Sequence, residues 1–331
     1  MNRPLVVLTN PIDARVHADL ARHARVLLVP EPTAGAIRDA VAQADALIVR
    51  APLPDDVFVH GPHLVGAIRH GAGVDMIPVD AATAAGVAVA NVPGVNAVTV
   101  AEYAIGQMLS WSRRLTRIDA TLRAADWPTA RALADGGRDL RGRTLGIVGA
   151  GAIGSALARI AGFGLGMTVL GHRRSPQALP APFQRATFDE LLERSDFVAL
   201  TCPLTPETRG LMDAQRIARM KPGAVLVNVS RGAVVVETAL VDALAGGHLG
   251  GAVLDVFEAQ PLPADSPLRR MDQVLLSPHM AGITEDSMRR MGALAVAQAL
   301  DLIAGRRPAH LVNPAVWPHR RRSRYAQQET P

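Results

Sequence analysis

Lysine is almost missing from this chain: of 35 basic residues only Lys221 is one. Arginine therefore carries nearly all the basicity behind a net charge of +5, and it is scattered except in HRRR (319–322) with Arg324. A nucleic-acid-binding surface gathers such charge into a patch or stripe, so no nucleic-acid partner is expected. The stretch 319–331 reads as a disordered, solvated basic tail. Cysteine is as scarce. Cys202 alone excludes an internal disulfide and fits a reducing, cytoplasmic setting. Aromatics make up 3% of the residues, which leaves packing to small and branched aliphatics. Long unbroken apolar runs are lacking too. The opening MNRPLVVLTNP is too short in apolar residues for a secretory signal, and the apolar stretch 144–171 is interrupted by glycines and Arg159. No membrane span, membrane partner or metal is expected.

What the chain has in abundance is short β-branched runs alternating with alanine-rich stretches. The runs predict strands at 5–9, 25–29, 46–50, 87–92, 144–150, 167–171, 197–201, 224–229, 252–255 and 274–277. They are continuously apolar, as strands covered on both faces are. Their alternation with helices implies parallel sheets joined by right-handed crossovers. Thr187 and Glu190 form a capping box that opens a helix over 188–194, while Gly246–Gly247 and Gly305 close later helices. The segment 98–122 reads as one long helix, 126–141 as a polar loop holding Trp127, and 284–304 as another long helix. The expected class is α/β with two doubly wound parallel sheets. A Rossmann dinucleotide-binding domain over 98–282 would be inserted into a flavodoxin-like substrate domain made of 1–97 plus 283–318.

The stretch GAGAIG (149–154) sits between a predicted strand and a predicted helix. In that context Gly149 permits a tight turn, Gly151 lets a pyrophosphate approach the backbone, and Gly154 packs helix on strand, with Ala152 and Ile153 opening the helix. At the end of the next strand, where an acid would bind the ribose of NAD, stand His172, Arg173 and Arg174. A carboxylate there repels a 2′-phosphate, whereas two guanidinium groups pair with it. Ser175 could add a hydroxyl and His172 a stacking face for adenine. NADP(H) is the expected cofactor, with NAD(H) accepted as well if the arginines only solvate the turn.

Further blocks follow in order: HGAGVD (70–75), NVPGVNAVTVAE (91–102), RGRTLGIVGAGAIG (141–154), CPLTPETRGLM (202–212), NVSRG (228–232), LDVFEAQPLP (254–263) and SPHMAG (277–282). With them the chain resembles, along nearly its whole length, the D-isomer-specific 2-hydroxyacid dehydrogenases, which include glyoxylate/hydroxypyruvate reductases and 3-phosphoglycerate dehydrogenases. The resemblance implies that Arg231 binds the substrate carboxylate and polarises the keto oxygen, and that His279 is the general acid. It places Ala72 and Gly73 against the substrate carboxylate and Asp255 at the nicotinamide. Thr99, Pro203, Thr208, Val229, Ser230, Ala281 and Gly282 would line the cofactor site together with Arg231 and His279. Family members are usually dimers joined through the nucleotide-binding domain, so a homodimer is expected, with helix 98–122 and the Trp127 loop as contact surfaces.

One position departs from the family pattern. Gln260 stands where a glutamate usually bonds the catalytic histidine, and it carries no charge to support an imidazolium. Three readings follow: a working reductase with a more acidic pH profile, formate-dehydrogenase-like hydride transfer using the Gln260/His279 pair, or a catalytically silent dinucleotide-binding relative. The expected substrate is a small 2-ketoacid such as glyoxylate or hydroxypyruvate. Arg50 could bind a second anionic group, as 3-phosphoglycerate dehydrogenase chemistry requires, or be a strand-end surface charge. No C-terminal regulatory module is expected after residue 318.

Overall fold

The computed structural model describes residues 3–174 and 178–326. Five short strands, β1 (Leu5–Leu8), β2 (Arg25–Leu28), β3 (Ala46–Val49), β4 (Gly66–Arg69) and β5 (Ala88–Ala90), form a parallel sheet in the order β2-β1-β3-β4-β5. This is the doubly wound, flavodoxin-like order. Successive side chains of a strand point to opposite faces, so β1 and β3–β5 feed two cores, while β2, at the sheet edge, is largely exposed. Val6 and Leu8 pack with Met291, Ala295 and Ala299 of the helix Glu285–Ile303. Leu5 and Val7 pack with Ile37 and Val41 of the helix Ala34–Val41. Each such valine, leucine, isoleucine or methionine side chain, fully buried, contributes roughly 1.5–3 kcal/mol. β4 was not among the predicted strands, because its sequence GAIR is short and starts on glycine. That glycine is required by packing: a Cβ on Gly66 would lie 2.3 Å from Leu302 Cδ1.

Seven strands make the second parallel sheet: β6 (Thr144–Val148), β7 (Thr168–His172), β8 (Gln184–Arg185), β9 (Phe197–Leu200), β10 (Val225–Asn228), β11 (Gly251–Leu254) and β12 (Val274–Leu276). Their order is β12-β11-β10-β9-β6-β7-β8, a Rossmann arrangement whose switch point falls between β6 and β9. Along β10, Leu226 joins the core on one face and Val225 and Val227 that on the other. Lys221, ahead of β10, bonds at 2.7 Å to Asp196, ahead of β9. Chain contacts divide the protein into two units, Met1–Asn96 with Ile283–Pro331, and Ala97–Gly282.

Three local expectations are corrected. The long helix breaks at Arg114, whose φ is +56°, into Ala97–Arg113 and Leu115–Ala124. The Arg114 guanidinium folds over Gly136, in space that a larger residue there would make it vacate. The polar loop contains a helix, Trp127–Leu133, whose first turn is capped by Asp126 accepting from Thr129 N at 2.8 Å. The described part of the tail, residues 319–326, packs on the fold instead of standing free in solvent. Arg321 donates to the carbonyls of Gly61 and Phe58, and Arg324 Nε bonds at 2.9 Å to Asp45, which is 1% exposed. A buried carboxylate needs a cation, and this one takes it from the tail.

Candidate active site

All seven strands of the larger sheet run the same way, so the loops that follow them open at one edge. After β6, Gly149 adopts φ +105° and donates to His172 O at 2.9 Å. A Cβ on Gly149 would lie 2.6 Å from Cys202 N, and one on Gly154 2.2 Å from Gly149 O, so both glycines serve close backbone packing. Thr201 Oγ1 fixes the turn by donating to Gly149 O at 2.6 Å. Gly151 differs: a Cβ there would meet nothing within 4 Å. Beside that open space the helix Ala152–Arg159 begins with no side chain capping its first N–H groups. Open space plus uncapped donors at a helix start suit a diphosphate. The residues present fit a dinucleotide.

At the end of β7, His172 packs its ring against Phe188, with centroids 5.3 Å apart. Arg173 follows half-buried, and the exposed Arg174 pairs with Glu207 at 3.6 Å. Ser175 lies outside the described residues. In the loop after β9, Thr208 Oγ1 donates to Pro203 O and accepts from Thr205 N, both at 2.7 Å, which shapes the turn. Thr99 is 5% exposed within Ala97–Arg113.

The loops after β10, β11 and β12 are tied together. Asn228 Oδ1 accepts from Ser230 N at 3.0 Å, and its Nδ2 donates to Arg231 O at 3.0 Å. Ser230 Oγ donates to Cys202 O, and Val229 is buried. A Cβ on Gly232 would lie 1.9 Å from the Phe257 carbonyl carbon, so the loop carrying Arg231 abuts the next one backbone to backbone. From there Gln260 Oε1 reaches His279 Nδ1 at 3.1 Å. Gln260 Nε2 donates to Phe257 O at 3.4 Å, so the amide oxygen faces the ring and accepts the Nδ1 hydrogen. Nε2 is the ring's other proton-exchanging atom. A pocket of about 770 Å³ opens beside the pair, walled by Phe257, Pro261, Leu262, Leu276 and Pro278, with Arg269. Asp255 is buried and accepts the peptide N–H groups of Met280 and Ala281. Gly282 closes this stretch of chain.

Ala72, Gly73 and Arg50 belong to the smaller-sheet unit. Ala72 O accepts from Asn91 Nδ2 at 2.7 Å, and Gly73 O from Arg69 Nε at 3.1 Å. Arg69 also reaches Val49 O and His70 O, so it braces this loop, a role with no local signal in the sequence. Arg50 is half-buried and donates to Pro11 O, and burial lowers its pKa below the usual guanidinium value.

Beside the same loop His70 is 4% exposed, and its Nε2 has no hydrogen-bond partner. Burial first, then the charges of Arg50 and Arg69, push its pKa from 6.5 to about 4. The folded state thus prefers the neutral ring. The stabilisation is complete above pH 6.5 and drains away as pH falls toward 4. Lowering the pH from 7.5 to 5 should cost about 2 kcal/mol through this residue. The measurement is urea unfolding at both pH values: His70→Gln should lose about 2 kcal/mol less than the parent, and equal losses would contradict the assignment.

Among the described residues no helix is long and apolar enough to cross a membrane, and no group of three His, Cys, Asp or Glu is placed to hold a metal. The family model for the D-isomer specific 2-hydroxyacid dehydrogenase, NAD binding domain, matches residues 105–281. The chain is 38% identical over 296 residues to D-3-phosphoglycerate dehydrogenase of Mycobacterium tuberculosis, covering 88% of this chain and 55% of that one. It thus spans about half the length of these mycobacterial relatives. It is 36% identical over 319 residues to glyoxylate/hydroxypyruvate reductase B of Salmonella newport, covering 94% and 98% of the two chains. The crystal structure of the NADPH-dependent glyoxylate/hydroxypyruvate reductase from Sinorhizobium meliloti, in complex with NADP and malonate, superposes with a TM-score of 0.85 at 30% identity, covering 97% of this chain and 100% of that one.

Proposed function

Since the chain belongs to the D-isomer specific 2-hydroxyacid dehydrogenases, we propose that it is an NADP(H)-preferring oxidoreductase reducing a small 2-ketoacid of the glyoxylate or hydroxypyruvate type to the D-2-hydroxyacid. The observation that carries this reading is His279, its Nδ1 hydrogen held by Gln260, with one loop between it and Arg231 at the carboxyl edge of the sheet bearing the glycine turn. Arg231 binds the carboxylate and polarises the carbonyl, for which a planar guanidinium is suited. Ala72 and Gly73 offer backbone groups to the carboxylate. A bound nicotinamide supplies the hydride to the carbonyl carbon. His279 Nε2 gives its proton to the carbonyl oxygen, and Gln260 keeps the ring in the tautomer and orientation that this transfer needs. Gly151 and the helix start at Ala152 and Ile153 hold the diphosphate, Gly149 and Gly154 keep the turn that presents them, and Asp255 lies at the nicotinamide end.

Arg173 and Arg174 set the cofactor preference. KM for NADPH is expected to be at least about tenfold below that for NADH, the discrimination of one good charged contact. Initial rates of purified protein with each cofactor against glyoxylate, hydroxypyruvate, pyruvate and 3-phosphohydroxypyruvate, and with formate in the reverse direction, test substrate and cofactor together. Preference for NADH, or turnover of formate alone, would refute the reading. A second copy of the chain is the partner we infer. The helix Leu115–Ala124 buries none of its residues, and Leu115, Leu122 and Trp127 are exposed. Light scattering should give the mass of a dimer; a monomer at micromolar concentration would remove this part.

A further inference from the structure

The turn that carries His279 is held from a distance. His279 has φ +55°, one of two non-glycine residues with a positive φ among the described residues. A left-handed backbone at such a residue costs on the order of 1–2 kcal/mol, so something must hold it. Asp255 does so at close range. Its Oδ1 accepts from Met280 N at 2.8 Å and its Oδ2 from Ala281 N at 2.9 Å, the two peptide groups directly after the histidine. Asp255 Oδ1 also accepts from Ser277 Oγ at 2.6 Å. Ser277 Oγ in turn is hydrogen-bonded to the hydroxyl of Tyr103, on the helix Ala97–Arg113.

The polarity of this chain follows from its end. A carboxylate only accepts, so the single hydroxyl hydrogen of Ser277 goes to Asp255, and Tyr103 must donate to Ser277. Asp255 and Ser277 are buried. Burial, together with the negative charge of Asp255, raises the pKa of Tyr103 above the usual phenol value, so the donor keeps its proton. Three links then run from the helix Ala97–Arg113 to the two peptide groups that follow the histidine.

We propose that Tyr103 is a positioning residue for His279, acting through Ser277 and Asp255 to hold the left-handed turn that aims the imidazole. The proposal rests on the reading of His279 as the proton donor, in which neither Tyr103 nor Ser277 has another part. Without the phenol, Ser277 keeps one partner but loses its fixed direction. Asp255 is then held less firmly, and the turn relaxes toward ordinary backbone conformations. The chemical step suffers, while binding of ketoacid and cofactor does not.

The test is steady-state kinetics on the full chain with NADPH and hydroxypyruvate, for Tyr103→Phe, Ser277→Ala, the double variant and Ser277→Thr. Tyr103→Phe should lower kcat roughly 5–20-fold with both KM values within about twofold of the parent, the cost of misplacing a reacting group slightly. Ser277→Ala should lose at least as much. The double variant should be no worse than Ser277→Ala, because a chain cut once is already cut. Ser277→Thr, which keeps the hydroxyl, should restore kcat. A kcat for Tyr103→Phe within about twofold of the parent, or losses that multiply in the double variant, would overturn the proposal. Lowered thermal stability with kcat intact would mean that the hydroxyls only knit helix to sheet. Side-chain NMR of His279, its signal identified by its loss in His279→Asn, gives a readout independent of turnover. Broadening or doubling in Tyr103→Phe supports the proposal, and an unchanged sharp signal sinks it. A parent protein inactive with every acid offered would refute the assigned function and still leave the NMR comparison to decide this one.

Discussion

Arg231→Ala is expected to lower kcat/KM for ketoacid reduction by about 10³-fold or more, the scale of removing a charged group that contacts both carboxylate and developing oxyanion. The loss should come from the side chain alone. The backbone at this position is pinned through Asn228 Nδ2 to Arg231 O and by the close approach of Gly232 to Phe257, and the variant touches neither. Arg231→Lys separates the two jobs. It keeps the charge and loses the planar fork, so activity should fall by roughly 10–100-fold. Initial-rate kinetics against hydroxypyruvate decides the matter, and an alanine variant within about tenfold of the parent would remove Arg231 from the reaction.

His279→Asn is the cleaner knockout of the proton donor, because asparagine tolerates the left-handed backbone that His279 adopts. It should lower kcat about 10²–10⁴-fold, the usual worth of a positioned general acid. If the physiological reaction were hydride removal from formate, no proton would be transferred, and formate oxidation should lose far less than ketoacid reduction. Gln260→Glu probes the same pair from the other side. A carboxylate 3.1 Å from Nδ1 stabilises the imidazolium, so the variant stays able to donate at higher pH. The pH at which kcat/KM for reduction falls away should rise by about one unit or more. A profile that does not move would mean that Gln260 is uncoupled from the proton transfer.

The parts of the fold that could be read from the chain are those set by neighbours in sequence. Apolar runs marked ten of the twelve strands among the described residues, and all of these but the edge strands β2 and β12 are largely buried, a property that local composition can show. The capping box of Thr187 and Glu190 is present as its spacing requires, opening Phe188–Arg194. What escaped depends on distant partners. β4 pairs with β3 and β5 and packs its glycine against Leu302, more than two hundred residues away, and the break at Arg114 lies beside Gly136. The basic tail looked solvated until Asp45 supplied a buried countercharge. In the candidate site, the glycine turn and the Gln260–His279 pair sit in motifs and could be named in advance. Arg69 and Tyr103 could not. Each acts across a sheet or from a core helix, and nothing beside either residue in the sequence announces it.

The single lysine has a practical consequence. Lys221 and its partner Asp196 both precede their strands, which puts the ammonium at the amino edge of the seven-stranded sheet, opposite the loops bearing Arg231 and His279. Its side chain is 46% exposed. Chemistry that couples to primary amines therefore finds one side chain to grip, and a bead or electrode tethered there would attach at the edge of this sheet opposite Arg231 and His279.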